Sequence, residues 1–106
     1  MITESDWKKF KKIKEEALEC FCGNILKDVS EGLVCRDNPT SHGKYLYLYK
    51  IIVNYDKQLA LLFNDHSRSK ATIQLMMLRN EGLVNEVDIQ GLSNELKEHT
   101  KPKNHV

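Results

Sequence analysis

A chain of 106 residues with 41% apolar and 29% charged residues has the length of one domain and the composition of an ordinary globular protein, which excludes two independent domains and a disordered polyelectrolyte. Sixteen Lys and Arg against fifteen Asp and Glu leave a formal charge of +1, so no global field marks nucleic acid, a membrane surface or an acidic substrate as the partner. The opening Met1-Ile2-Thr3-Glu4-Ser5-Asp6 is polar and acidic where an export signal needs a basic stretch and an apolar run. Three cysteines without such a signal are expected to be reduced thiols of a cytoplasmic protein. The longest apolar run, Tyr45 to Tyr55, is broken by Lys50 and Asn54 and is too short to span a bilayer.

The first helix is expected to open at Thr3, where Thr3-x-x-Asp6 has the form of a capping box and Glu4 and Asp6 favour the positive helix end. At 100° per residue Trp7, Phe10, Ala17, Leu18, Phe21, Ile25 and Val29 share one side, opposite Lys8, Lys9, Lys12, Glu16 and Glu19. Gly23-Asn24 is a place for a bend, and Gly32 a place to stop before the Arg36-Asp37-Asn38-Pro39 turn. The next segment has strand-forming residue types in Tyr45-Leu46-Tyr47-Leu48-Tyr49 and Ile51-Ile52-Val53, with Asn54 to Lys57 as a candidate hairpin turn. Its polar positions at Lys50, Asn54, Lys57, Gln58, Asn64 and Asp65 instead recur every three or four residues, which predicts one helix from about Ser41 to Asn64 capped by Thr40 or Ser41.

Asp65 to Ser69 supplies a turn and a new cap at Asp65 or Ser67. Helix three then ends at Gly82, with Leu83 folding back on Leu78. Asn85 caps helix four, Asp88 lies three residues on, and Val84 can staple onto Ile89. Helix four has Ile89, Leu92 and Leu96 on its inward face and a candidate break at Gly91-Leu92-Ser93. The connection between helices three and four is short enough for an antiparallel hairpin. The expected fold is all-α: a single domain over residues 1–98 of about four helices ending in that hairpin, with 99–106 a disordered tail. Helix three is apolar around most of its circumference, only Lys70, Gln74 and Glu81 forming a polar stripe. It is therefore either the central element or a helix with a face left over for a partner, with Ile73, Met76 and Met77 as the candidate interaction face.

No grouping of side chains demands a reaction. Cys20, Cys22, Cys35 and His42 could be drawn as a zinc site, but helical residues two apart diverge by about 200°, so packing explains the cysteines better and no metal or cofactor is expected. Asp65-His66-Ser67 has the residue types of a nucleophilic triad in consecutive positions, which point apart. Lys8, Lys9, Lys11, Lys12 and Lys14 form the one dense basic run, without making a single stripe. Asp56 sits near the centre of the apolar side of helix two, where a carboxylate needs a partner. Arg68, Arg79 or a tyrosine hydroxyl would supply a buried pair, and an open carboxylate lined by Tyr45, Tyr49 and Tyr55 would instead receive a small ligand. These features lead to the expectation of a small non-enzymatic cytoplasmic interaction or regulatory protein that binds a protein partner or itself. A nucleic-acid-associated protein using the Lys-rich first helix, or a ligand binder around Asp56, stand as alternatives.

Overall fold

The structure, a computed structural model, describes residues 2–102. It consists of α1 (Glu4–Leu33), α2 (Ser41–Phe63), a single 3₁₀ turn (Arg68–Lys70) running into α3 (Ala71–Asn80), α4 (Glu86–Ile89) and α5 (Asn94–His99), with no strand among the described residues. The all-α class expected from the sequence is therefore found, and the stretch with strand-like residue types is the continuous helix α2.

The helix starts follow local chemistry. Thr3 Oγ1 accepts from the Asp6 amide at 3.1 Å, Thr40 Oγ1 from Gly43 at 3.0 Å and Asn85 Oδ1 from Val87 at 3.2 Å, each satisfying an amide that the first turn leaves unpaired. The end of α3 is the expected glycine stop. Gly82 has φ 70°, its amide donates to Arg79 O, and the Leu83 amide reaches back to Leu78 O at 3.1 Å.

Helix α1 runs through Gly23-Asn24 without interruption. Gly32 does not act as its left-handed stop. It is buried where α2 crosses, and a Cβ there would lie 2.9 Å from the Tyr47 ring, so the missing side chain permits close approach of the two helices.

The helical hairpin expected at the C-terminal end is not a pair of continuous helices. Helix four is split into the single turn α4 and the short α5, with Ser93 capping the second piece by accepting from Leu96 at 3.3 Å. Nor does the chain become a tail at residue 99. Helix α5 includes His99, and Thr100 is fully buried with its hydroxyl on Leu96 O; residues 103–106 of the expected tail lie outside the described residues.

The core joins Phe10, Ile13, Ala17 and Phe21 of α1 to Leu62 and Phe63 of α2, Ala71, Leu75 and Leu78 of α3, and Leu83, Ile89, Leu92 and Leu96 beyond it. All of it lies at one end of the α1/α2 pair. With principal extents of 53 × 29 × 21 Å and a radius of gyration of 16.9 Å, the chain is longer than the ~13 Å radius expected of a spherical domain of about 100 residues. At 1.5 Å per residue α1 is roughly 45 Å long and α3 about 15 Å, so α3 to α5 cover only the half of the pair that bears the chain's N-terminus. The other half is two helices and the 34–40 turn, with no third layer among the described residues.

Candidate interaction face

The residues singled out from the sequence do not assemble around Asp56. Asp56 is exposed, and the buried pair expected for it is corrected by the positions of both arginines. Arg68 Nε and Nη2 donate to Ile2 O at 3.2 and 3.0 Å, and its Nη1 meets Glu4 at 2.8 Å. Arg79 Nη1 donates to Lys97 O and Thr100 Oγ1, both at 2.9 Å, and its Nη2 lies 3.9 Å from Glu86. The guanidinium thus closes the C-terminal end of α5, where unpaired carbonyls and the helix dipole favour a cation. Tyr55 donates its hydroxyl to Asp28 on α1, and this hydrogen bond holds the phenol above its ordinary pKa. Tyr45 and Tyr49 stack on each other at 6.5 Å on the exposed surface of α2.

Helix α3 is mostly closed to a partner. Gln74, read from the sequence as part of a polar stripe, is buried and donates Nε2 to Leu62 O and Asp65 O, both at 2.8 Å, so it caps the end of α2. Met77 packs against the core and Met76 is half-buried, leaving Ile73 as the exposed member of the candidate set.

The basic run is similarly dispersed. Lys14 is buried and donates to Asp65 O at 2.8 Å with its Nζ 3.4 Å from His66 Nδ1, and burial pushes its ammonium below the ordinary lysine value against the opposing pull of Asp65. Lys9 reaches Gly91 O at 2.7 Å, and Lys11 lies over the Trp7 ring at 5.6 Å. Cys20 borders the 82–85 loop, whereas Cys35 lies beside Tyr47 in a groove at the far end of the α1/α2 pair. His66 packs on Trp7 with ring centres 5.4 Å apart.

The extended feature is a surface that periodicity did not single out. Ile13, Glu16 and Cys20 mark the side of α1 that borders the 82–88 segment, and Leu61 and Leu62 mark the side of α2 that borders Met77 and Asn80. At 100° per residue Cys22, Ile25, Leu26, Val29 and Leu33 of α1, and Tyr45, Tyr49 and Ile52 of α2, turn to the opposite side of the pair. Ile25 still reaches the core, but Leu26 is 66% exposed, Leu33 51%, Tyr45 63%, Tyr49 62% and Ile52 50%. The charged residues of the same stretches, Lys27, Asp28 and Glu31 on α1 and Lys50 on α2, fall away from this side by the same spacing.

The other side of the same half is different in character, a groove lined by Asp28, Glu31, Gly32, Cys35, Tyr47, Ile51 and Tyr55. The far half of the hairpin therefore has one carboxylate-bearing side and one apolar side. Among the described residues no helix is long and apolar enough to cross a membrane, and no three His, Cys, Asp or Glu side chains group as metal ligands. No family model matches the chain, and no curated protein or solved structure is significantly similar to it.

Proposed function

We propose that this chain is a non-enzymatic protein-interaction module and that its binding surface is the apolar side of the far half of α1 and α2. The observation that carries this reading is the clustering of Leu26, Leu33, Tyr45, Tyr49 and Ile52, each at least half exposed, on one side of a helix pair without an interposed charge. Scattered exposed apolar residues are ordinary, but a contiguous patch of this kind on a small protein marks a surface that is covered in use. Tyrosine suits such a surface, since the ring supplies contact area and the hydroxyl tolerates water.

The polar groups drawn into the fold support a non-catalytic role, because each is engaged in holding the chain together. Asp6 and Arg79 hold α5, Gln74 caps α2, and Lys14 ties the 64–67 turn to α1. The test is affinity capture with the wild type and with a Leu26→Glu/Ile52→Glu variant, both verified as folded by circular dichroism. Proteins retained by the wild type, including added copies of the chain itself, should be lost from the variant. Retention of the same set by both proteins, or of nothing by either, would overturn the assignment of the surface.

A further inference from the structure

Resting on that reading of the surface, we infer that its occupant is a second copy of this chain, packed apolar side to apolar side about a two-fold axis so that two α1/α2 hairpins close a four-helix bundle. The first argument is architectural. A two-helix layer buries only the seam between its helices, and the near half completes its core with α3 to α5 while the far half has nothing equivalent among the described residues. A second two-helix layer supplies what is missing, and layering of helix pairs at shallow angles is the ordinary route to a helical core.

Area is the second argument. At roughly 200 Å² for a large side chain, the exposed fractions of Leu26, Leu33, Tyr45, Tyr49 and Ile52 amount to about 600 Å². With the half-buried Cys22, Val29 and Leu48 between them, the patch approaches the ~800 Å² that each partner contributes to a stable interface of standard size.

Charge is the third. Glu19 and Asp56 stand at the edge of the patch nearest the core, with Glu15 beyond them and Lys57 on the outer rim. The hairpin tip at the other edge has Arg36, His42 and Lys44 against the single Asp37. A two-fold axis through the middle of the patch exchanges these ends, so the acidic edge of one copy meets the basic tip of the other while the apolar middle meets itself. Such self-complementarity is what an isologous contact requires. A parallel overlay would set like charges together.

The test is sedimentation equilibrium of the wild type over a concentration series, with Leu26→Glu/Ile52→Glu as the disruptive variant and Leu61→Glu as a control at a position 76% exposed outside the patch. The wild type and the control should show twice the chain mass. The disruptive variant should raise the dissociation constant by roughly 100-fold or more, because its carboxylates would be buried without partners. An independent measurement needs no destabilising charge. In a background with Cys20, Cys22 and Cys35 replaced by Ser, Tyr49→Cys, at the middle of the patch where the axis brings α2 against its own copy, should oxidise to a covalent dimer and Leu61→Cys should not.

A wild type of single-chain mass throughout would overturn the second copy. If that monomer still captured another protein through Leu26 and Ile52, the surface assignment would stand while self-association fell. A dimer that survives both glutamates, or cross-links through Leu61→Cys in preference, would overturn the inference by placing the contact elsewhere.

Discussion

The buried carboxylate of Asp6 receives both the backbone amide of Ser93, at 3.0 Å, and the Ser93 hydroxyl. One residue of the first turn of α1 is thereby bonded to the cap of α5, 87 positions away. The Ser93 hydroxyl has two roles, donating to Asp6 while its oxygen accepts from the Leu96 amide. Asp6→Ala is expected to cost about 2–3 kcal/mol, and Ser93→Ala about 1–2 kcal/mol through the lost cap and the lost carboxylate bond. The double variant should be less destabilised than the sum of the two by about 1 kcal/mol, since each substitution already abolishes the shared bond. Denaturant melts of the four proteins check this, and strict additivity would mean that the pair does not interact.

Gly82 gives a cleaner test of backbone conformation than any packed position. It has φ 70° and nothing within 4 Å of where a Cβ would stand, so Gly82→Ala creates no clash. Its whole effect is the cost of holding an L-residue in the left-handed region, about 1–2 kcal/mol. A thermal melt should show that loss, and a gain in stability would require the turn to have found another conformation.

Two carboxylates meet where α4 approaches α1. Asp88 beside Glu16, by hydrogen bonding and by its charge, pushes the Glu16 carboxyl above its ordinary 4.5. A raised folded pKa means that the folded chain binds more protons than the unfolded one between the two values. The contribution is fully present below pH 4.5 and is lost as pH rises through the higher folded value. Glu16→Gln should therefore remove a fall in stability on the acid side of neutrality and leave the protein at least as stable as the wild type at pH 7. Melts between pH 3 and 7 decide it, and a variant that keeps the wild-type slope would show that Glu16 is not the group responsible.

What can be read from the sequence is local. Thr3, Thr40, Asn85, Ser93 and Gly82 act within four residues of themselves, and they stand where propensity and spacing put them. Long-range partners are not legible. Nothing near Gln74 or Arg79 in sequence shows that one will cap α2 and the other α5, and Asp6 reads as a capping residue until Ser93 is seen against it. Periodicity misplaces Asp56 for a related reason. The apolar sector of α2 is wider than its seam with α1, so spacing alone cannot tell which part is inside. The half that bears Leu62 and Phe63 is covered and the part that bears Tyr45, Tyr49 and Ile52 is not. The centre of an apolar arc is the centre of a core only when something lies on all of it.

Lys14 offers the strongest test of how the near end is built. Burial holds its ammonium below the ordinary lysine value of 10.5, with the charge of Asp65 opposing the shift. Below the folded pKa, both states are protonated and the folded protein bears the full cost of burying the cation. Between that value and 10.5 the unfolded chain binds more protons, so this residue's contribution to stability rises with pH across that window and levels off above it. Lys14→Met keeps an apolar stem of similar reach and removes the titration. At pH 7 its effect should lie within about 1 kcal/mol of zero, because the lost hydrogen bond to Asp65 O is offset by the relieved desolvation, and Gln74 Nε2 still donates to that carbonyl at 2.8 Å. The two proteins should then diverge as pH rises through the alkaline window, the wild type gaining relative to the variant. Urea melts at closely spaced pH values from 7 to 10.5 measure that difference directly. A difference independent of pH would show that Lys14 reaches water in the folded protein, and a loss well beyond about 1 kcal/mol at pH 7 would show that its bonds to the 65–66 turn outweigh the burial of its charge.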